Sequence, residues 1–127
     1  MQIIKEKIAP EKVKYMRIHT DLTPERWFKF SLFEQLANIG CDSARTIEWK
    51  KKGDLDYSNK SFERALELLY FTIEDPKNRG GKLKELCRVR EALIDFFLCD
   101  NEYGTSEEFW NHYFYDFNYA AALPRRR

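Results

Sequence analysis

From Thr23 onward, apolar and polar positions alternate at helical spacing, interrupted by short clusters of Gly, Asp, Asn and Pro. The first segment opens on Thr23-Pro24-Glu25. The hydroxyl can cap, proline suits the first helical position, and the carboxylate favours the positive end of a helix. No strong breaker follows before Gly40, so the pattern predicts one long helix to about Lys52, ahead of Gly53. Phe30, Phe33, Ala37, Gly40, Ala44 and Ile47 recur at spacings of three and four and form its expected inner face. The small residues in its middle would let another helix approach closely, offsetting the roughly 1 kcal/mol that a helical glycine costs against alanine.

Gly53 to Tyr57 reads as a turn, and a second helix is expected from about Ser58 to Glu74, with Phe62, Ala65, Leu66, Leu69 and Ile73 as its stripe. Asp75-Pro76 stops it, because a residue before proline avoids the helical region. A third helix is expected over about Lys82 to Cys99, with Leu83, Leu86, Cys87, Leu93, Ile94 and Phe97 inward. After the turn Asp100–Gly104, Thr105 with Glu108 three residues on has the pattern of a capping box. The fourth helix then runs to about Ala122, before Pro124, with Trp110, Tyr113, Phe114, Phe117 and Ala121 on one face. Short connections between helices favour antiparallel neighbours. The expected fold is all-α: an antiparallel four-helix up-and-down bundle over residues 22–123, an extended or disordered basic arm at 1–21, and a basic tail at 124–127. Met16 lies just ahead of the first cap and is an alternative start.

The last helix carries more aromatic surface than one face can bury. Eight of the seventeen residues from Tyr103 to Tyr119 are Tyr, Phe or Trp, with no Lys or Arg among them. Phe109, Tyr115 and Tyr119 fall outside the expected core face and are the candidate interface, since aromatics are enriched where proteins meet. This points to a protein partner or a homo-oligomer.

Composition narrows the remaining classes. The 127 residues suffice for one domain with a real core, and 43% hydrophobic content excludes disorder of the whole chain. Residues 1–20 hold five Lys or Arg against two Glu and the tail holds three Arg, so the body 21–124 has a net charge of −5 within a total of +1. An acidic body argues against a nucleic-acid partner, which needs a basic face. No apolar run is long enough for a membrane span. The cysteines, Cys41, Cys87 and Cys99, are odd in number and form no C-x-x-C pair, which fits reduced thiols and a cytoplasmic location.

Chemistry, if present, would sit among the charged residues near the expected core. Asp42 shares a face with Glu34, Asn38 and Arg45, and Arg90 lies near the core stripe of the third helix. Glu63 and Glu67, then Glu91 and Asp95, are each spaced by four, which puts each pair on one helical face. Asp42, Glu63, Glu67, Arg90, Glu91 and Asp95 therefore form a candidate polar pocket, and the paired carboxylates could hold Mg²⁺. The arrangement resembles the all-α nucleoside triphosphate pyrophosphatases of the MazG and dimeric dUTPase kind, which would imply a metal-dependent, nucleotide-binding activity. Those enzymes use E-x-x-E and E-x-x-D, whereas this chain has E-x-x-x-E and E-x-x-x-D. An ion-pair network that sets helix register uses the same residues. The two histidines, His19 and His112, have no second ligand at zinc-like or di-iron spacing. No catalytic residue, metal ligand set or cofactor motif is assigned.

Several stretches carry a wider resemblance: Asp21-Leu22-Thr23-Pro24-Glu25-Arg26-Trp27, Glu34-Gln35-Leu36-Ala37-Asn38-Ile39-Gly40, Ser61-Phe62-Glu63-Arg64-Ala65-Leu66-Glu67-Leu68, Asp75-Pro76-Lys77-Asn78-Arg79, Cys87-Arg88-Val89-Arg90-Glu91-Ala92-Leu93 and Asp100-Asn101-Glu102-Tyr103-Gly104-Thr105. From Leu22 to Ala121 the chain resembles a family of small uncharacterised helical proteins of bacteria and archaea. That resemblance implies a compact helical bundle, a start near Met16, and no established activity.

Overall fold

The computed structural model describes residues 22–122. The expected basic arm, its alternative start and the basic tail lie outside the described residues. Among the described residues, the fold is an all-helical bundle of one short and four long helices. They are α1 Pro24–Trp27, α2 Leu32–Lys51, α3 Leu55–Glu74, α4 Gly81–Leu98 and α5 Glu107–Ala122.

One long opening helix was expected; the structure divides it after Trp27. Thr23 caps α1 as anticipated, accepting from the Arg26 amide. A second start signal, Ser31 with Glu34, then takes over. The Ser31 hydroxyl accepts from the Glu34 amide at 3.1 Å, and Glu34 Oε1 accepts from the Ser31 amide at 2.8 Å. This reciprocal box satisfies amides at the start of α2 that have no helical partner. Nothing between 28 and 31 forbids a helix; the competing cap breaks it.

The inner face of α2 is correspondingly different. Phe30, Phe33 and Ala44 are exposed rather than inward. Gln35, Leu36, Ala37, Ile39, Gly40, Asp42, Ser43, Thr46 and Ile47 are buried. The buried arc is wide because α2 packs against both α3 and α5. At Gly40 the missing side chain lets α5 seat Phe114 closely against α2.

The second helix begins at Leu55, three residues before the expected start, because the Asp54 side chain accepts from the Tyr57 amide and caps it. Its stripe is as expected: Phe62, Ala65, Leu66 and Leu69 are buried and Ile73 half-buried. In α4, Leu86, Val89 and Leu93 are buried, while Leu83, Cys87, Ile94 and Phe97 are half-buried. In α5, Trp110 and Phe114 are buried and Tyr113 and Phe117 half-buried. Full burial of each large side chain is worth about 1.5–3 kcal/mol, so this shared cluster across α1 to α5 is the main stabilising term.

Cross-links fix the antiparallel order. Ser58 Oγ donates to the Thr46 carbonyl, joining the end of α2 to the start of α3. Lys51 pairs with Glu107 at 2.6 Å, joining the end of α2 to the start of α5. Phe62 and Phe97 have ring centroids 4.9 Å apart, joining the start of α3 to the end of α4. Among the described residues, no helix is long and apolar enough to cross a membrane.

Candidate functional site

Three polar or aromatic assemblies lie outside the plain apolar core, and each is built from loop chemistry upward.

The first ties the α3–α4 connection to the break after α1. Gln35 is fully buried, and its amide donates to the Trp27 carbonyl at 3.1 Å and to Asp75 Oδ2 at 2.8 Å. Asn78, also fully buried, donates to Gln35 Oε1 at 3.2 Å and to the Thr72 carbonyl at 3.0 Å. The Trp27 indole donates to the Thr72 hydroxyl at 2.9 Å, which in turn donates to the Leu68 carbonyl. Lys77 covers the assembly: its amide donates to Asp75 Oδ1, and its ammonium contacts Asp75 Oδ2 and the Phe28 carbonyl. Burial pushes the Asp75 carboxyl up, but hydrogen bonds from Lys77 and Gln35 outweigh it and hold the group below its ordinary value. All but one of these donors and acceptors answer one another, Asn78 Oδ1 being buried without a partner, and the arrangement is that of a structural tie.

The second orders the α4–α5 connection. Asp95 is buried and accepts from the Glu102 amide at 2.9 Å and the Tyr103 amide at 3.0 Å. Asn101, at φ 54, accepts from the Thr105 amide and donates to the Thr105 carbonyl. Asparagine tolerates this left-handed conformation better than most residues. The Thr105 hydroxyl then receives the Trp110 indole at 3.0 Å. The expected cap of the last helix therefore moves by one residue. Ser106, not Thr105, accepts from the amide three residues on, that of Phe109, at 3.0 Å.

The third is an open cleft of about 620 Å³ between α4, this loop and α5. Val89 and Ala92 line one wall; Tyr103, Phe109, Trp110 and Tyr113 line the other. Glu85, Arg88 and Glu91 stand along the α4 wall. Tyr113 donates to Glu85 Oε2 at 3.0 Å. Burial, with the Glu85 carboxylate adding to it, pushes the Tyr113 phenol well above its ordinary value, so it stays a neutral donor. Phe109 lies edge-on to Trp110 at 5.0 Å, and Trp110 to Tyr113 at 5.8 Å, so the aromatic wall is a continuous packed surface.

The six residues of the expected polar pocket differ in burial and in the partners they take. Asp42 is buried on α2 and takes a bond from Arg45 at 3.1 Å. Glu67 is fully buried in α3, whereas Glu63 and Arg90 are half-buried. Glu91 is exposed and lines the cleft. Asp95 turns to the loop amides already described. Among the described residues, no three of His, Cys, Asp or Glu gather as a metal would need. The expected interface aromatics, Phe109, Tyr115 and Tyr119, are 47%, 63% and 61% exposed.

The cleft was not legible from spacing. Trp110 and Tyr113 read as core, and they are core on one side while forming the cleft wall on the other. The available signal was a mismatch of size. Cys87 and Ala92 on α4 face a helix of bulky aromatics, and small side chains there leave space unfilled. Comparison with protein-family models, with curated proteins and with solved structures found no match.

Proposed function

We propose that the chain is a protein-interaction module whose α4–α5 cleft receives an apolar side chain from a partner segment. The carrying observation is the cleft itself: open, about 620 Å³, and walled by Tyr103, Phe109, Trp110 and Tyr113. Aromatic pockets of this kind supply the anchors that dominate protein interfaces. The exposed Tyr115 and Tyr119 extend the same helix beyond the cleft and would broaden the contact. Self-association through this surface is a special case of the same reading, and a cytoplasmic setting with reduced thiols suits it. The resemblance to small helical proteins without assigned chemistry is in keeping with a binding role.

Isothermal calorimetry with twelve-residue peptides carrying a Leu or Trp anchor tests the proposal. Binding that Phe109→Ala abolishes, with unchanged thermal stability, would support it. Absence of binding by every anchored peptide, together with a strictly monomeric elution profile, would sink it.

A further inference from the structure

The walls of the cleft differ in charge. From Glu91 to Pro124 the chain contains seven Asp or Glu and no Lys or Arg. Five of them, Glu91, Asp100, Glu102, Glu108 and Asp116, are exposed. Glu102 adjoins Tyr103 in the cleft wall, and Asp116 lies three residues beyond Tyr113, on the same line of α5. The α4 wall is mixed: Arg88 stands three residues from both Glu85 and Glu91, and Lys84 lies one turn before it. Exposed carboxylates thus flank the loop and α5 wall, whose own lining is uncharged, while the α4 wall sets Glu85 and Glu91 against Arg88.

We infer that the partner segment is basic, an apolar anchor flanked by Lys or Arg and supplied by another protein. This rests on the docking role proposed above and adds the partner's chemistry to it. The apolar anchor would enter between Phe109 and Ala92. Its cationic neighbours would meet Glu91, Glu102 and Asp116, while the aromatic faces add attraction for ammonium or guanidinium groups. Complementary charge of this sort sets partner choice and encounter rate more than raw affinity. Salt should weaken it, because the acidic groups are exposed.

Fluorescence polarisation on the full chain tests the inference. Three labelled twelve-residue peptides share one Trp anchor and differ only in flanks: Lys/Arg, Asp/Glu, or Ser/Gly. The basic peptide should bind about tenfold tighter than the Ser/Gly peptide at low salt, with the difference lost near 0.5 M salt. The double variant E102Q/D116N, at two positions outside the cleft lining, should cut that preference yet keep the Ser/Gly peptide's affinity. Equal binding of all three peptides, or preference for the acidic one, overturns the basic-partner inference and leaves the docking role standing. No binding by any of them overturns both. A photo-cross-linker on Cys87, in a Cys41→Ser/Cys99→Ser background, supplies a further check. Cross-links to the chain's own basic arm, or to a second copy, would assign the cleft to those occupants and overturn an external partner.

Discussion

A β-carbon on Gly40 would stand 2.5 Å from Cβ of Phe114 and 2.8 Å from its Cγ. Both atoms lie at the root of the Phe114 side chain, so no rotamer change relieves the clash; α5 itself must shift. Gly40→Ala gains about 1 kcal/mol of helix propensity but forces overpacking worth about 1–3 kcal/mol. A net loss is expected, read as a lower urea midpoint with an unchanged slope. A stabilised single variant would show that α2 and α5 are not in tight contact.

The Gln35–Asp75–Lys77 tie gives the bundle an acid sensitivity of defined sign. The Asp75 carboxyl titrates below its ordinary value in the folded chain, whereas an unfolded aspartate titrates near about 3.9. Its contribution is therefore present above about pH 4 and is lost as pH falls through the folded value. Asp75→Asn should lower stability at pH 7 by about 1–3 kcal/mol and flatten the decline between about pH 5 and pH 3 relative to the parent. Parallel pH curves for the two proteins would refute the assignment.

Thr105, Ser106 and Glu108 separate two accounts of how α5 begins. With Ser106 as cap, Ser106→Ala should cost about 1 kcal/mol. Thr105→Val should also destabilise, but by stranding the Trp110 indole N–H, at about 1–3 kcal/mol. Glu108→Ala should stay within about 0.5 kcal/mol, as exposed positions without special contacts do. A large loss at Glu108 would restore the capping box expected from the Thr105 pattern.

Asp95 offers the contrast between a loop fastener and a metal ligand. Both its oxygens accept loop amides. Asp95→Asn replaces one acceptor with a donor facing an amide, so stability should fall by about 1–3 kcal/mol. The loss should be the same with and without added Mg²⁺. A parent protein whose melting temperature rises with Mg²⁺, in an Asp95-dependent manner, would return the carboxylates to a ligand role.

Punctuation in the chain made most of the architecture readable. Gly53-Asp54, Asp75-Pro76 and the Asn101–Gly104 turn separate four strongly periodic segments, and those segments are the four long helices. Spacing does not show the break at 28–31, because Phe28-Lys29-Phe30 is compatible with a helix and the Ser31–Glu34 box that interrupts it sits inside an unbroken run. The stripe of α2 was misplaced for a related reason. Spacing puts Phe33 and Ala44 on a face with Gly40, but whether that face meets one helix or two is decided in three dimensions. The pocket carboxylates show the same limit. A spacing of four aligns Glu91 with Asp95 along α4, yet Asp95 turns to amides of the following loop and Glu91 to solvent.

The tryptophans sit at different stations of the fold. Trp27 donates to Thr72 beside the α3–α4 connection, and Trp110 donates to Thr105 at the opposite end of the bundle. Trp49 stacks on Tyr57 at 5.0 Å with Lys52 above its ring, half open to solvent. Each indole therefore has its own optical surroundings, and the chain carries intrinsic emission reporters for both ends. Variants retaining only Trp27 or only Trp110 would reveal whether the ends melt together, as a single cooperative unit requires, or whether the cleft end loosens first.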